Sequence, residues 1–495
     1  MVNIFNIIKL KRPETKLFFG YLSYVIIGVV LLSIPFFRKV NVTFLDNLFT
    51  TVSAISTTGL ATVSTFDSYS IFGQIVVILL IQIGGIGYMT FGSFIILSTR
   101  NVLSKNREEI HKTSFSLPSD FSINKFIKSI VIYTIIVEVI GAILLMFVFY
   151  KDGRANFIWS SIFHSISAFC TAGFSLYNNS FESYSSHYFL NIVIFILSFL
   201  GAIGYIVMVD FWLMLRGKKD KITFTSKIIL TTTVILLLFG TTLILIERII
   251  KSGNFDKDLL LTSFFQSMTA LTTVGFNTIP IGTMSSSSLF VISILMIIGA
   301  SPSGTGGGIK STTISSMFGI IGSVFSSKKE YINFQYPNFK NNEENNVKTN
   351  KNKFFEIFSS KNTSSNEITD KSKELSSLFG DLFKIKLLNR IIPFDRIIHA
   401  VATFVFYFAI LFVGILLLLS FENFTFEQIF FEAASALGTV GLSTGITGNL
   451  NIMGKIIIIT LMFIGRLGPI TFGVILFGRK EDKKNAENRV DDLVI

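Results

Sequence analysis

"ISTTGLAT" at Ile55–Thr62 returns three times along the chain, as "FCTAGFSL" at Phe169–Leu176, "LTTVGFNT" at Leu271–Thr278 and "LGTVGLST" at Leu437–Thr444. Each copy holds Thr-x-Gly followed by Leu or Phe. The glycines Gly59, Gly173, Gly275 and Gly441 stand 114, 102 and 166 residues apart. A polar insertion around 327–390 stretches the last interval. Internal repetition of this kind decides architecture before any single motif does. One Thr-x-Gly marks a tight turn or small-residue helix packing. Four in matched surroundings mark a duplicated unit.

The surroundings match on both sides. Before each copy runs a moderately apolar stretch of about a dozen residues, such as "TFLDNLFTTVSA" and "FTFEQIFFEAASA". Such a stretch is too short to cross a bilayer and suits a re-entrant helix. A full apolar run precedes it. Another follows, carrying a glycine pair: "QIGGIGY" (Gln82–Tyr88), "FLGAIGY" (Phe199–Tyr205), "IIGASPS" (Ile297–Ser303) and "FIGRLGP" (Phe463–Pro469). For Gly84, Gly85, Gly201 and Gly204 the expectation is close packing inside continuous helices. Packing alone would not require the short stretch before each Thr-x-Gly, so the unit reads span, half-helix, Thr-x-Gly, span.

Composition supports membrane residence. The 495 residues are 50% hydrophobic and 15% charged, include 54 phenylalanines and have a mean hydropathy of +0.62. That charge share is well below the soluble-domain average. Apolar runs occupy Leu17–Phe37, Ile71–Leu97, Phe126–Phe149, Tyr188–Leu215, Ile228–Ile246, Leu289–Ala300, Ala400–Phe421 and Ile452–Phe477. The first lacks a small-residue cleavage site and reads as a retained span. The net charge of +12 is not a polyanion-binding surface, because its lysines and arginines gather between apolar blocks, at Lys9–Lys16, Arg100–Lys112, Arg216–Lys221, Lys328–Arg390 and Arg479–Lys484. Cytoplasmic loops carry such clusters. The loops after the motifs, Leu60–Gly73, Phe174–His187, Phe276–Leu289 and Leu442–Gly454, contain no lysine or arginine. A single cysteine, Cys170, excludes an intramolecular disulfide.

The expected fold is therefore an all-α integral membrane protein of four tandem span–pore helix–span units, with eight transmembrane helices around a pseudo-fourfold pore. The boundaries read as a cytoplasmic N-terminus at 1–16, units at 17–100, 125–216, 226–326 and 391–478, cytoplasmic loops at 101–124 and 217–225, the insertion at 327–390, and a cytoplasmic tail at 479–495.

Non-helical backbone at membrane depth survives only when buried in protein or lining a watery cavity. Four such segments converging on one axis suit a cation. A potassium ion in a narrow pore exchanges its hydration shell for rings of backbone carbonyls. Glycine permits the backbone angles that line those carbonyls up, and half-helices aim their partially negative ends at the cavity.

These motifs resemble the membrane subunit of the Trk/Ktr/HKT superfamily of potassium transporters over nearly the whole chain except 327–390. Beginning directly at the first unit, the chain is more similar to the Ktr-type subunit than to the longer Trk-type one. The resemblance implies a filter at Thr57-Thr58-Gly59, Thr171-Ala172-Gly173, Thr273-Val274-Gly275 and Thr439-Val440-Gly441. Plant relatives preferring sodium often carry serine at the first filter glycine, so glycine at all four positions favours potassium. The resemblance also implies a homodimer in the plasma membrane, served by a cytosolic ring of nucleotide-binding (RCK-type) subunits. Potassium is the transported ion, and no covalent cofactor or nucleic-acid partner is expected.

"SPSGTGGGIKST" at Ser301–Thr312 superficially resembles a phosphate loop, but Ile309 stands where that motif needs glycine before lysine, and apolar helix flanks it. It falls where units one and two carry "GGIGY" and "GAIGY", so it is expected at membrane depth as a gate, with Ser303, Gly304, Thr305, Gly306, Gly307, Gly308 and Lys310 as its working residues and 301–310 as its extent. The family's intramembrane gating loop matches this position. Lys310 reads equally well as marking the helix's return to the cytoplasm. Arg466 is the fourth unit's counterpart, and a charge within a span usually has a functional reason. The alternatives are a gate charge, matching the family's arginine, or a structural arginine, snorkelling or paired with Glu138. His164 and Glu432, on half-helices, read as packing or capping groups, since no cluster of metal-ligand spacing surrounds them.

The insertion, with "NNEENNVKTNKNK", reads as disordered, and "ELSSLFGDLFKIKLLNRII" at its end as an amphipathic surface helix or docking helix. Three functions stay open: a potassium-uptake subunit, a sodium-permeable or poorly selective relative, and the potassium-binding subunit of a transport ATPase. An enzyme is not expected, because no span presents a nucleophile–base pair or an H-E-x-x-H site.

Overall fold

The structure, a computed structural model, describes residues 13–87, 90, 123–217, 220–325, 386–387, 390–392 and 394–477. The chain first forms α1 (Pro13–Ser33), α2 (Phe44–Ile55) and α3 (Ile71–Ile86). It continues through α4 (Ile123–Lys151), α5 (Phe157–Phe169), α6 (Tyr188–Ala202) and α7 (Tyr205–Leu215). Next come α8 (Phe224–Ser252), α9 (Lys257–Thr272), α10 (Ser286–Ile298) and α11 (Ser311–Phe325). The last are α12 (Phe394–Phe421), α13 (Phe426–Gly438), α14 (Ile452–Leu467) and α15 (Pro469–Phe477).

Helices α1, α4, α8 and α12 are long and apolar enough to cross a membrane. Their outward faces are apolar too. Ile26, Ile27 and Val30 on α1, and Ile132, Ile136, Ile140 and Ile143 on α4, are exposed, which water would penalise and lipid welcomes. This is a multi-pass membrane protein.

The sequence predicts eight spanning helices. Among the described residues there are four, or up to six if two bent pairs each count as one span. Helices α6 and α7 meet at 98°, and α14 and α15 at 100°. Hydropathy reads Tyr188–Leu215 and Ile452–Phe477 as continuous because the breaks are conformational. Gly204 at φ 88° and Gly468 at φ 86° leave the helical region. Gly204 is thus the bend as well as a closely packed glycine, since a Cβ on it would meet Pro302 O at 2.4 Å. Gly84, Gly85 and Gly201 do pack closely, since a Cβ on them would meet Ile55 O at 2.1 Å, Cys170 Sγ at 2.5 Å and Phe169 O at 1.9 Å.

The all-α expectation holds, with one two-residue hairpin beside the helices. Lys386–Leu387 pairs antiparallel with Arg390–Ile391, in the register Lys386↔Ile391 and Leu387↔Arg390. Two-residue strands are too short to leave a periodic trace in sequence. The rest of the insertion and most of the amphipathic segment at its end lie outside the described residues.

Side-chain caps fix where two of the short helices begin. Thr43 accepts from the Asp46 N–H at 3.1 Å, and Thr425 forms a capping box with Gln428. Each post-motif helix then packs on the next short helix: α3 on α5, α6 on α9, α10 on α13, and α14 back on α2. A 2.8 Å ion pair between Lys455 on α14 and Asp46 on α2 joins the last part of the chain to the first.

Candidate functional site

Each of the four short helices ends in the same way. Thr57, Thr171, Thr273 and Thr439 adopt φ of 54°, 50°, 58° and 50°. A β-branched residue in the left-handed region is costly, on the order of 1–3 kcal/mol, so four at equivalent positions are held deliberately. The hold is a helix-terminating pair of backbone bonds. The threonine N–H returns to the carbonyl three residues back and the next N–H to the carbonyl five back, as in Thr57→Ala54 (3.1 Å) and Thr58→Ser53 (2.8 Å). The same pair recurs at Thr171 and Ala172, Thr273 and Val274, and Thr439 and Val440.

The glycine that follows touches the neighbouring copy. A Cβ on Gly59 would lie 2.3 Å from Ala172 O, on Gly173 2.4 Å from Val274 O, on Gly275 2.0 Å from Val440 O, and on Gly441 2.1 Å from Thr58 O. The contacts run from the first copy to the second, third and fourth and back to the first. The four carbonyl-bearing segments therefore form a closed ring, and all four glycines line a cavity of about 560 Å³ on one side of it.

Hydroxyls six residues before three of the four glycines support the ring, a feature the sequence reading missed although "VSAISTTG" and "AASALGTVG" show it in register. Ser53 Oγ donates to Leu60 O at 2.7 Å and accepts from Gly59 N at 3.1 Å. Ser167 Oγ donates to Phe174 O at 2.8 Å, and Ser435 Oγ accepts from Gly441 N at 3.0 Å. Thr269 occupies the third position and is buried.

On the other side lies the glycine-rich loop, which meets all four threonines. Thr305 Oγ1 is 3.0 Å from Thr171 Oγ1, and Thr57 Oγ1 donates to Thr305 O at 3.4 Å. The Gly307 N–H donates to Thr273 Oγ1 at 3.2 Å. A Cβ on Gly307 would come within 2.1 Å of Thr439 Oγ1, and one on Gly306 within 2.2 Å of Thr273 Oγ1, so larger residues do not fit. The loop is pinned to the α6–α7 bend: Ser301 N and Thr305 N donate to Ala202 O (3.2 Å) and Gly201 O (3.1 Å), and Tyr205 N donates to Ser303 O (3.3 Å). A Cβ on Gly304 would stand 2.4 Å from Ala202 O, and one on Gly308 2.7 Å from Gly299 Cα.

Two cationic side chains hold the loop's carbonyls. Arg466 Nη1 donates to Thr57 Oγ1 at 3.0 Å and also to Thr305 O, while Nη2 donates to Gly84 O. Lys310 Nζ donates to Gly306 O at 2.7 Å. Arg466 and Lys310 line a second cavity, of about 370 Å³, together with Tyr21, Thr90 and Tyr205. Glu138, the alternative partner of Arg466, instead accepts from Gln82 Nε2 at 3.2 Å and lies 3.6 Å from Cys170 Sγ. Every residue singled out in the sequence as filter or loop is thus part of one assembly.

A family model described as "TrkH: Cation transport protein" matches residues 23–487. The chain is 32% identical to "Ktr system potassium uptake protein B" of Bacillus subtilis, covering 95% of this chain and 94% of that one. It is 31% identical to "Potassium/sodium uptake protein NtpJ" of Enterococcus hirae, covering 91% and 90%. The crystal structure of the potassium transporter TrkH from Vibrio parahaemolyticus shares the fold, with a TM-score of 0.62 at 18% identity over 94% of this chain and 86% of that one. The chain belongs to the TrkH family of cation transport proteins.

Proposed function

We propose that the chain is the ion-translocating subunit of a potassium-uptake system. Four span–pore helix–span units surround a pseudo-fourfold pore, with the broken post-motif helices serving as second spans. The filter is Thr57–Gly59, Thr171–Gly173, Thr273–Gly275 and Thr439–Gly441. The glycine-lined cavity faces outward, and both termini and the basic clusters face the cytoplasm.

The observation that carries this reading is the cyclic contact of each motif glycine with the next motif's carbonyl. An ion on the axis of such a ring meets carbonyl oxygens from four sides, the ligand set a dehydrated potassium ion needs. Loop 301–310 is the gate. It crosses beneath all four threonines, and Arg466 and Lys310 hold it by its own carbonyls while adding positive charge that raises the barrier to cations. Opening requires the loop to give up those bonds. A cytosolic nucleotide-binding ring and a homodimeric membrane assembly supply the control, in keeping with the Ktr-system names of the relatives.

A second reading has one observation behind it. The relative named for both potassium and sodium uptake is 31% identical to this chain, so a poorly selective pore on the same frame stands as the alternative. The family match favours neither a transport ATPase subunit nor an enzyme.

The test is growth of a potassium-uptake-deficient bacterium at limiting potassium, expressing the chain with and without its cytosolic partner. Wild type restores growth, Gly275→Ser weakens discrimination against sodium, and deletion of Ser303–Gly308 gives flux independent of the partner. Sodium uptake by wild type without potassium rescue would overturn the reading in favour of the alternative.

A further inference from the structure

Nine residues before each motif glycine stands a buried polar residue: Thr50, His164, Gln266 and Glu432, none more than 2% exposed. Three of them reach the segment that leaves the ring. His164 Nε2 accepts from the Leu176 N–H at 3.3 Å and lies 3.0 Å from Ser175 Oγ, while Nδ1 is 2.7 Å from Ser160 O. A backbone N–H only donates and a carbonyl only accepts, so Nε2 is bare and Nδ1 carries the proton. Gln266 Nε2 donates to Thr278 Oγ1 at 3.2 Å. Glu432 Oε1 accepts from the Thr447 hydroxyl, and Thr447 Oγ1 lies 2.9 Å from Ser443 Oγ.

The targets correspond. Ser175, Leu176 and Thr278 stand two or three residues beyond their glycines, and Thr447 is folded back against Ser443, two residues beyond Gly441. The first unit is built otherwise. There Tyr69 Oη donates to Asn47 Oδ1 at 3.0 Å, and Ser53 alone grips both Gly59 and Leu60.

Buried polar groups usually find partners somewhere, so mere satisfaction is the plain explanation. It does not account for three different side chains, an imidazole, an amide and a carboxyl, in one register, each bonded to the stretch that follows its own motif glycine. We propose that His164, Gln266 and Glu432 are positioning residues for cation discrimination. They brace the segments leaving the filter from behind, so the carbonyl ring keeps its aperture when a smaller ion enters. This rests on the filter reading above. A ring free to contract accommodates sodium, so the braces should act on the ratio between ions more than on the maximal potassium rate.

The test is potassium flux, with sodium competition, through the full-length chain in proteoliposomes, normalised to incorporated protein. Thr447→Val removes the donor to Glu432 at nearly constant volume. It should weaken potassium-over-sodium discrimination about fivefold, the effect of one buried hydrogen bond, while maximal potassium flux is kept. Glu432→Gln leaves an acceptor oxygen for Thr447 and should retain the wild-type ratio. Gln266→Met carries the weakening prediction to a second unit, should Thr447→Val fail to incorporate. Unchanged discrimination in Thr447→Val or Gln266→Met, beside a discriminating wild type, would overturn the braces alone. A wild type that conducts potassium without preferring it would overturn the filter reading and the braces together.

Discussion

At Thr57, Thr171, Thr273 and Thr439 the backbone does one thing four times; at Gly87, Gly204, Gly299 and Gly468 it does several. Helix α3 stops before Gly87, α6 bends through 98° into α7, α10 gives way at Gly299 to the loop, and α14 bends through 100° into α15. Both sets stand in matching places after the four repeated segments. Selection by a ring needs its members equivalent, because an ion on the axis meets all of them at once. Obstruction, on the proposed function, needs only one member in the way, so the glycine-pair regions need not match. They are a bend in the second unit, a glycine-rich loop in the third and the place of Arg466 in the fourth.

The most damaging way to break the equivalence is at the ring itself. Gly441→Ala places a Cβ 2.1 Å from Thr58 O at φ 96°, and backbone strain of about 1–3 kcal/mol falls directly on the carbonyls of the ring. Potassium uptake should drop at least about tenfold, read as initial rate per membrane-inserted protein. Uptake at the wild-type rate would show that the four contacts need not be equal.

A smaller effect of opposite sign is expected on the divergent side. Arg466→Gln removes the charge-assisted bonds to Thr305 O and Gly84 O, each worth about 1.5–3 kcal/mol. Flux in the absence of the cytosolic partner should rise about tenfold, measured in the same cells. Were partner-free flux to stay at the wild-type level, Arg466 would be a packing residue and not a latch.

The weakest expected effect lies in the loops that tie successive units together near the glycine-lined cavity. Asn178 Nδ2 donates to Asp67 Oδ2 at 2.8 Å. The bond from Asn178, then one from Ser64, holds the Asp67 carboxyl below the usual carboxylate range. A depressed carboxylate contributes stability above its unfolded value and loses it as pH falls through the folded one. Asp67 is fully exposed, so acidification should lower the melting temperature only slightly more in wild type than in Asp67→Asn. Identical pH profiles would remove this tie from the account.

The ring was legible because repetition exposes it. Aligning four Thr-x-Gly segments marks Gly59, Gly173, Gly275 and Gly441 without any appeal to contacts, and the short apolar stretches before them give the half-helices. The bends at Gly204 and Gly468 were not legible, since a hydropathy run looks the same whether its helix is straight or folded back. The partners of Arg466 were hidden for another reason. Two of the three, Thr305 O and Gly84 O, are backbone carbonyls, and a sequence lists only side chains, so the eye goes to Glu138. The braces at His164 and Glu432 were visible as residues but not as a register, because four different residue types do not look like a motif.

The loop that reaches all four threonines has a consequence for gene architecture. One segment fills the space beneath the ring, and four copies of Gly304–Gly308 would collide there. A pore assembled from four separate, identical polypeptides would have to place all four segments on the axis or none. Fusing the units into one polypeptide removes that constraint. On the proposed function, the long chain is thus the simplest way to give the gate to a single one of four repeated units.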